Sequence, residues 1–82
     1  MREDEVAVTQ DLADRFKAYV DGFGVGKRIP AIHLFGVEHG EKLAHLSTGD
    51  CKRLAVKAGF KESLGTELYK GIRLSEYAQR KP

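Results

Sequence analysis

Residues 47–71 read STGDCKRLAVKAGFKESLGTELYKG, and this stretch decides the fold. Ser47 followed three residues later by Asp50 is close to a capping box, a pattern that marks the start of a helix. Small and apolar residues then recur at helical spacing along one face: Cys51, Leu54, Ala55 and Ala58. Because glycine commonly ends helices, the pattern predicts a helix that stops at Gly59.

A second helix is predicted directly after this corner. Leu64 and Leu68 lie on one of its faces, and Gly71 is its predicted end. A tight corner between two short helices needs a residue that tolerates a positive φ, which Gly59 supplies. The sequence therefore predicts a helix-turn-helix over residues 48–71.

An amphipathic helix is predicted nearer the N-terminus, with Thr9 as its N-cap. Its apolar stripe consists of Leu12, Phe16, Tyr19, Val20 and Phe23. The glycine-rich residues 22–28 would end this helix. They lack the full pattern of a phosphate-binding loop, so a hinge or helix terminator is the favoured interpretation, with a nucleic-acid backbone contact by Lys27 and Arg28 as the alternative.

Residues 28–46 are open to two interpretations. A short helix over residues 30–36, with Pro30 in the first position, is favoured over a short strand because no partner strand is evident. A second helical piece is predicted over residues 37–46. Four side chains in this region are expected to face inward: Ile32, Phe35, Leu43 and Leu46.

The whole chain is predicted to form one all-α domain over residues 1–82, with the helix-turn-helix in its C-terminal part. Residues 1–8 are expected to be frayed, and a last short helical turn carrying Leu74 and Tyr77 is expected before residues 79–82 fray. No apolar run approaches the roughly 18 residues that a membrane span needs.

The composition favours a cytoplasmic protein. A single cysteine, Cys51, excludes an internal disulfide framework and favours a reducing compartment. The N-terminal sequence MREDE is unlike a targeting signal. The sequence shows neither a cofactor-binding motif nor a pair of residues suited to acid–base catalysis. We therefore expect neither enzymatic activity nor a cofactor.

Charge is distributed unevenly along the chain. Residues 1–47 carry a net charge of −2, whereas residues 48–82 carry +4. This asymmetry indicates an anionic partner for the C-terminal part. The alternative is a solvated helical surface on which the excess of positive charge arises by chance.

Residues 51–71 resemble the helix-turn-helix of phage-repressor and Cro-type DNA-binding proteins. The core Leu-Ala-x-Lys-Ala-Gly at 54–59 and the closing Gly71 carry the resemblance, which covers 21 of the 82 residues. It implies sequence-specific binding of double-stranded DNA, with the second helix in the major groove and its N-terminal residues at the base edges.

By position, the resemblance implies two sets of contacts. The base-reading candidates, on the exposed face of the second helix, are Lys61, Glu62, Ser63, Thr66 and Glu67. The phosphate-binding candidates are Lys52, Arg53, Lys57, Lys70 and Arg73. Lys61 could donate a hydrogen bond to guanine, and the carboxylate of Glu62 or Glu67 could accept one from the N4 amino group of cytosine.

The favoured function is therefore that of a small transcriptional regulator, or of the DNA-binding module of a larger system. Such regulators commonly act as two-fold dimers, and residues 9–46 are the expected region for a second copy or a protein partner. The alternative is a helical protein-interaction module that keeps the helix-turn-helix only as a packing unit. Glu62, Glu67 and Gly65 support it, and RNA binding ranks third.

Three histidines and the cysteine recur every six residues: His33, His39, His45 and Cys51. Six residues turn a helix by about 600°, so neighbours in the series would point to different faces. We expect no metal site from this spacing.

Overall fold

The computed structural model describes residues 8–80, and side chains up to residue 77. This part of the chain folds into five helices with no strand: α1 (Gln10–Asp21), α2 (Arg28–Glu38), α3 (Gly40–Leu43), α4 (Thr48–Lys57) and α5 (Ser63–Arg80). The all-α prediction is confirmed, and the strand alternative for residues 28–46 is wrong. The fraying expected at the two ends falls partly on residues 1–7 and 81–82, which lie outside the described residues.

Helix α1 begins as predicted. The Thr9 side chain accepts a hydrogen bond from the Leu12 N–H at 3.2 Å, which satisfies one of the unpaired donors of the first turn. Phe16 and Val20 are buried, while Phe23 lies beyond the helix end and stays 38% exposed.

Helix α2 is longer than the predicted helix over residues 30–36. It starts two residues earlier, so Pro30 is its third residue. The N–H groups of a helix's first turn have no carbonyl partner within the helix, so a proline there costs no hydrogen bond. Helix α2 also continues past Gly36, because this glycine is a packing residue: an added Cβ would lie 2.7 Å from the backbone nitrogen of Ile72 in α5. The second piece, expected over residues 37–46, is reduced to the single turn of α3.

Helix α4 has the predicted start and end. The Ser47 hydroxyl accepts from the Asp50 N–H, and the Asp50 carboxylate accepts from the Ser47 N–H, which completes the capping box. At the other end Gly59 has a φ of 89°, and the N–H of Phe60 bonds to the carbonyl of Ala55 at 2.9 Å. This Schellman motif needs a left-handed residue, which explains the glycine at the corner.

Helix α5 does not end at Gly71, and the separate turn expected for Leu74 and Tyr77 is part of the same helix. A Cβ at position 71 would lie 2.4 Å from the carbonyl oxygen of His33. The absent side chain therefore lets α2 and α5 cross at close range. The glycine at 71 serves tertiary packing, which overrides its tendency to end a helix.

Gly65 serves the crossing of α4 and α5 in the same way. A Cβ there would lie 2.4 Å from the Cα of Lys52 and 2.5 Å from its backbone nitrogen. No larger residue fits without moving one of the two helices, so the glycine sets the distance at which α5 packs on α4.

The five helices share one hydrophobic core, in which α5 packs against α2, α3 and α4. Phe16 lies at the centre of an aromatic group, with ring centroids 4.9 Å from Phe35 and 5.5 Å from Phe60. Since Phe60 belongs to the α4–α5 turn, this contact fixes the turn to α1. The four side chains predicted to face inward from residues 28–46 are all buried: Ile32, Phe35, Leu43 and Leu46.

Candidate nucleic-acid interface

The α4–α5 turn presents its polar residues to solvent at the start of α5. Lys61 and Glu62 precede the helix, Ser63 is its first residue, and all three side chains are exposed. The first turn is held by hydrogen bonds to the carbonyls of residues 61 and 62, at 3.0 and 2.9 Å. The start of α5 is thus a protruding corner with a lysine, a carboxylate and a hydroxyl.

The remaining two base-reading candidates lie further along α5 and are half-buried. Thr66 and Glu67 are both intermediate in exposure, and the Glu67 side chain is only 23% exposed. The structure therefore places Lys61, Glu62 and Ser63 together on the exposed corner, and Glu67 in a different environment.

The Glu67 carboxylate is held by two neighbours. Its Oε1 lies 2.8 Å from Nε2 of His33 on α2, and its Oε2 lies 3.4 Å from Nζ of Lys70. The hydrogen bond from His33, helped by Lys70, holds the pKa of the Glu67 carboxyl below its usual value against the opposing effect of desolvation. Glu67 thus links α5 to α2.

Three of the phosphate-binding candidates gather beside the turn. Lys52, Arg53 and Lys57 line a shallow groove on α4, and Glu62 from the turn lines it with them. Val56, which is 55% exposed, provides the apolar floor of this groove. Four of the ten predicted site residues therefore share one surface.

Two further phosphate candidates lie on the outer face of α5, and both are ion-paired. Lys70 contacts Glu67, as described above, and Arg73 Nη1 lies 2.9 Å from Oε2 of Glu76. The guanidinium of Arg73 also lies 5.9 Å from the ring centroid of Tyr69. Their charges are thus partly neutralised within the helix.

Of the basic residues beside the turn, one forms an ion pair and three do not. Arg53 contacts the Asp50 carboxylate, whose pKa is lowered chiefly by the backbone hydrogen bond from Ser47. Within residues 8–80, by contrast, the side chains of Lys52, Lys57 and Lys61 form no ion pair. Three lysines without an ion pair therefore lie near the start of α5, and Glu62 lines the same groove as two of them.

The tertiary contacts of two residues in this region have no signal in the sequence. His33 is separated from Glu67 by 34 residues, and only the crossing of α2 and α5 brings them together. Arg28 reaches the α4–α5 turn from the start of α2, which no local pattern indicates.

The other histidines and the cysteine have separate surroundings. The His39 ring packs 4.4 Å from that of Phe35, and Cys51 is buried in the core, where burial raises the pKa of its thiol to about 11. In the described part of the chain, no three His, Cys, Asp or Glu residues come together as metal ligands.

Apolar side chains are exposed at two places away from the turn. On α5, Leu74 is 51% and Tyr77 is 70% exposed, and together with His33, Tyr69 and the stems of two basic residues they line an almost wholly apolar hollow. Between residues 9 and 46, the exposed large apolar side chains are Phe23, Val25, Ile29 and Leu34.

No helix among the described residues has the length and apolar character of a membrane span. A family model described as an HTH-like domain matches residues 8–81, and thus all five helices. The match extends well beyond residues 51–71, and its description supports a helix-turn-helix without specifying the phage-repressor or Cro type. Neither a curated protein nor a solved structure matches the chain.

Proposed function

The chain belongs to the HTH-like domain family, and we propose on this basis that it binds double-stranded DNA in a sequence-specific manner. In this proposal it is a small transcriptional regulator or the DNA-binding module of a larger system. It acts in the cytoplasm as one helical domain, without enzymatic activity.

The observation that carries the proposal is the cluster of unpaired lysines at the start of α5. Lys52, Lys57 and Lys61 have no carboxylate partner in the described part of the chain, whereas Lys70 and Arg73 do. Unpaired cations on one face attract the phosphates of a duplex, because each contact releases a condensed counterion.

The proposed docking follows the phage-repressor type. The N-terminal end of α5 enters the major groove, so that Lys61, Glu62 and Ser63 approach base edges and Thr66 lies at the limit of reach. Glu67 acts as a positioning residue through His33. Lys52, Arg53 and Lys57 bind phosphates near the groove, and Lys70 and Arg73 bind them further along α5.

A two-fold dimer is part of the proposal, because one short helix reads too few base pairs for specific regulation. The exposed apolar side chains between residues 9 and 46 remain the proposed surface for a second copy or for another protein.

A helical protein-interaction module is the second candidate. It is favoured by the apolar hollow at Leu74 and Tyr77 and by the engagement of Glu67 and Gly65 in helix packing. Under this alternative the helix-turn-helix has no nucleic-acid partner, and charge changes at the turn would leave partner binding intact.

Charge reversal at the turn separates the two candidates. We expect Lys61→Glu to weaken binding of a fluorescently labelled mixed-sequence duplex at least tenfold in an anisotropy titration at low salt, because it adds repulsion at the groove. The matched control is Lys42→Glu, an exposed lysine on α3, which should bind as the wild type does.

Two results would contradict the proposal. One is a wild-type protein that is folded by circular dichroism yet does not bind duplex DNA at low salt. The other is an equal loss of affinity in both variants, which would show that overall charge alone governs binding.

A further inference from the structure

The segment between α1 and α2 brings two basic residues to the start of α5. Lys27 and Arg28 are exposed at the beginning of α2, and the Arg28 guanidinium carbon lies 5.3 Å from the ring centroid of Phe60. Phe60 directly precedes Lys61 and is fixed by its edge-on contact with Phe16. The guanidinium therefore lies beside the corner that carries the unpaired lysines of the turn.

Among the described residues, no carboxylate is ion-paired with the basic side chains of this segment, those of Lys27 and Arg28. Asp21 lines the same hollow as Arg28, but its carboxylate is bound by Lys17 at the end of α1. Two positive charges are thus added to those of the turn, although they are distant in sequence.

The segment is also accessible to a large partner. Val25 at its tip is fully exposed, and the glycines on either side have φ values of 91° and 89°. A Cβ added to Gly24 or Gly26 would meet no atom within 4 Å, so both glycines border open space.

We propose that residues 22–28 form a second DNA contact beside α5, in which Lys27 and Arg28 bind backbone phosphates next to the base pairs that α5 approaches. This inference rests on the proposed function and extends it to a segment outside the helix-turn-helix. Because the ligand groups are phosphates, the contact adds affinity and fixes orientation without reading sequence. The contact between Arg28 and Phe60 couples the segment to the turn.

The test compares the salt dependence of DNA binding by the full chain and two double variants. The probe is a mixed-sequence duplex, and the logarithm of the association constant is plotted against that of the salt concentration. We expect the slope for K27Q/R28Q to be smaller in magnitude than that for wild type by about 2, since each lost phosphate contact lowers it by about 0.9. The base preference in a selected site should be unchanged.

The matched control is R15Q/K42Q, which removes the same charge at the groove that Arg15 and Lys42 line with His39, beyond the other end of α2. Its slope should equal that of the wild type. Because Arg28 packs on Phe60, the single variant Lys27→Gln is a safeguard against loss of folding. It leaves that packing intact and should reduce the slope by about 1.

Each outcome is decisive. If the wild type binds the duplex but both double variants show the same salt-dependence slope as the wild type, residues 27 and 28 do not contact the DNA. The proposal of a second contact is then wrong, and the proposed function stands. If the folded wild type does not bind at low salt, the second contact falls together with the proposed function. A changed base preference in K27Q/R28Q would contradict the phosphate role.

Discussion

Gly65 shows how a single residue sets the geometry of the helix-turn-helix. Its hydrogen faces the backbone of Lys52, and an added methyl group would lie 2.4 Å from the Cα of that residue. Backbone atoms cannot yield as a flexible side chain does, so accommodating a larger residue means shifting α5 relative to α4.

We therefore expect Gly65→Ala to lower the free energy of unfolding by on the order of 1 to 3 kcal/mol, the usual penalty for overpacking a core. Gly49→Ala is the control, since its Cβ would meet only the Ser47 hydroxyl at 3.7 Å. Alanine within a helix should stabilise it by roughly 0.5 to 1 kcal/mol. Chemical denaturation measures both, and a Gly65→Ala protein as stable as the wild type would refute the close crossing.

At the scale of elements, the local signals of the sequence were reliable wherever neighbouring residues determine the backbone. The capping box at Ser47 and the corner at Gly59 need only hydrogen bonds within a few residues, and both were predicted. The sequence pattern predicts helix ends at Gly36 and Gly71, but both glycines lie inside helices. Their role depends on the approach of α2 and α5, which the sequence alone does not encode locally.

The same distinction applies to the proposed site. The resemblance implies roles for Lys52, Lys57 and Glu62 one by one, whereas the groove that they line together is a feature of the folded chain. The pairing of His33 with Glu67 and the contact of Arg28 with Phe60 join residues of different helices. They depend on tertiary packing, and a base-reading role for Glu67 was predicted without knowledge of its partner.

The link between α2 and α5 should make stability depend on pH. The hydrogen bond from His33 lowers the pKa of Glu67 in the folded protein, so the stabilisation is fully present above the unfolded pKa of about 4.3. It is lost as the pH falls from there through the folded pKa. Over this range the unfolded chain binds a proton at Glu67 that the folded chain does not yet bind, so protonation favours the unfolded state.

We expect Glu67→Gln to be less stable than the wild type at neutral pH, and this difference to narrow as the pH falls below about 4. Thermal unfolding across a pH series measures it, with Glu41→Gln on the exposed side of α3 as the control. If the difference in stability between Glu67→Gln and the wild type stays constant at every pH, the Glu67 carboxylate contributes no proton-linked stability.

At the scale of the whole molecule, the two ends of α5 have different characters. Its start is surrounded by unpaired basic residues from α2, α4 and the turn, whereas Leu74 and Tyr77 beyond its middle expose apolar surface. A small domain can thus present an anion-binding corner and an apolar surface on one helix.

An NMR titration of the isotope-labelled protein with a duplex tests most directly whether DNA docks at the start of α5, because it reports backbone amide shifts residue by residue. We expect the largest shifts to cluster at residues 27–28, 52–57 and 60–66, with little change in α3 around Lys42. Shifts confined to the apolar hollow at Leu74 and Tyr77, or none at all at low salt, would contradict this docking.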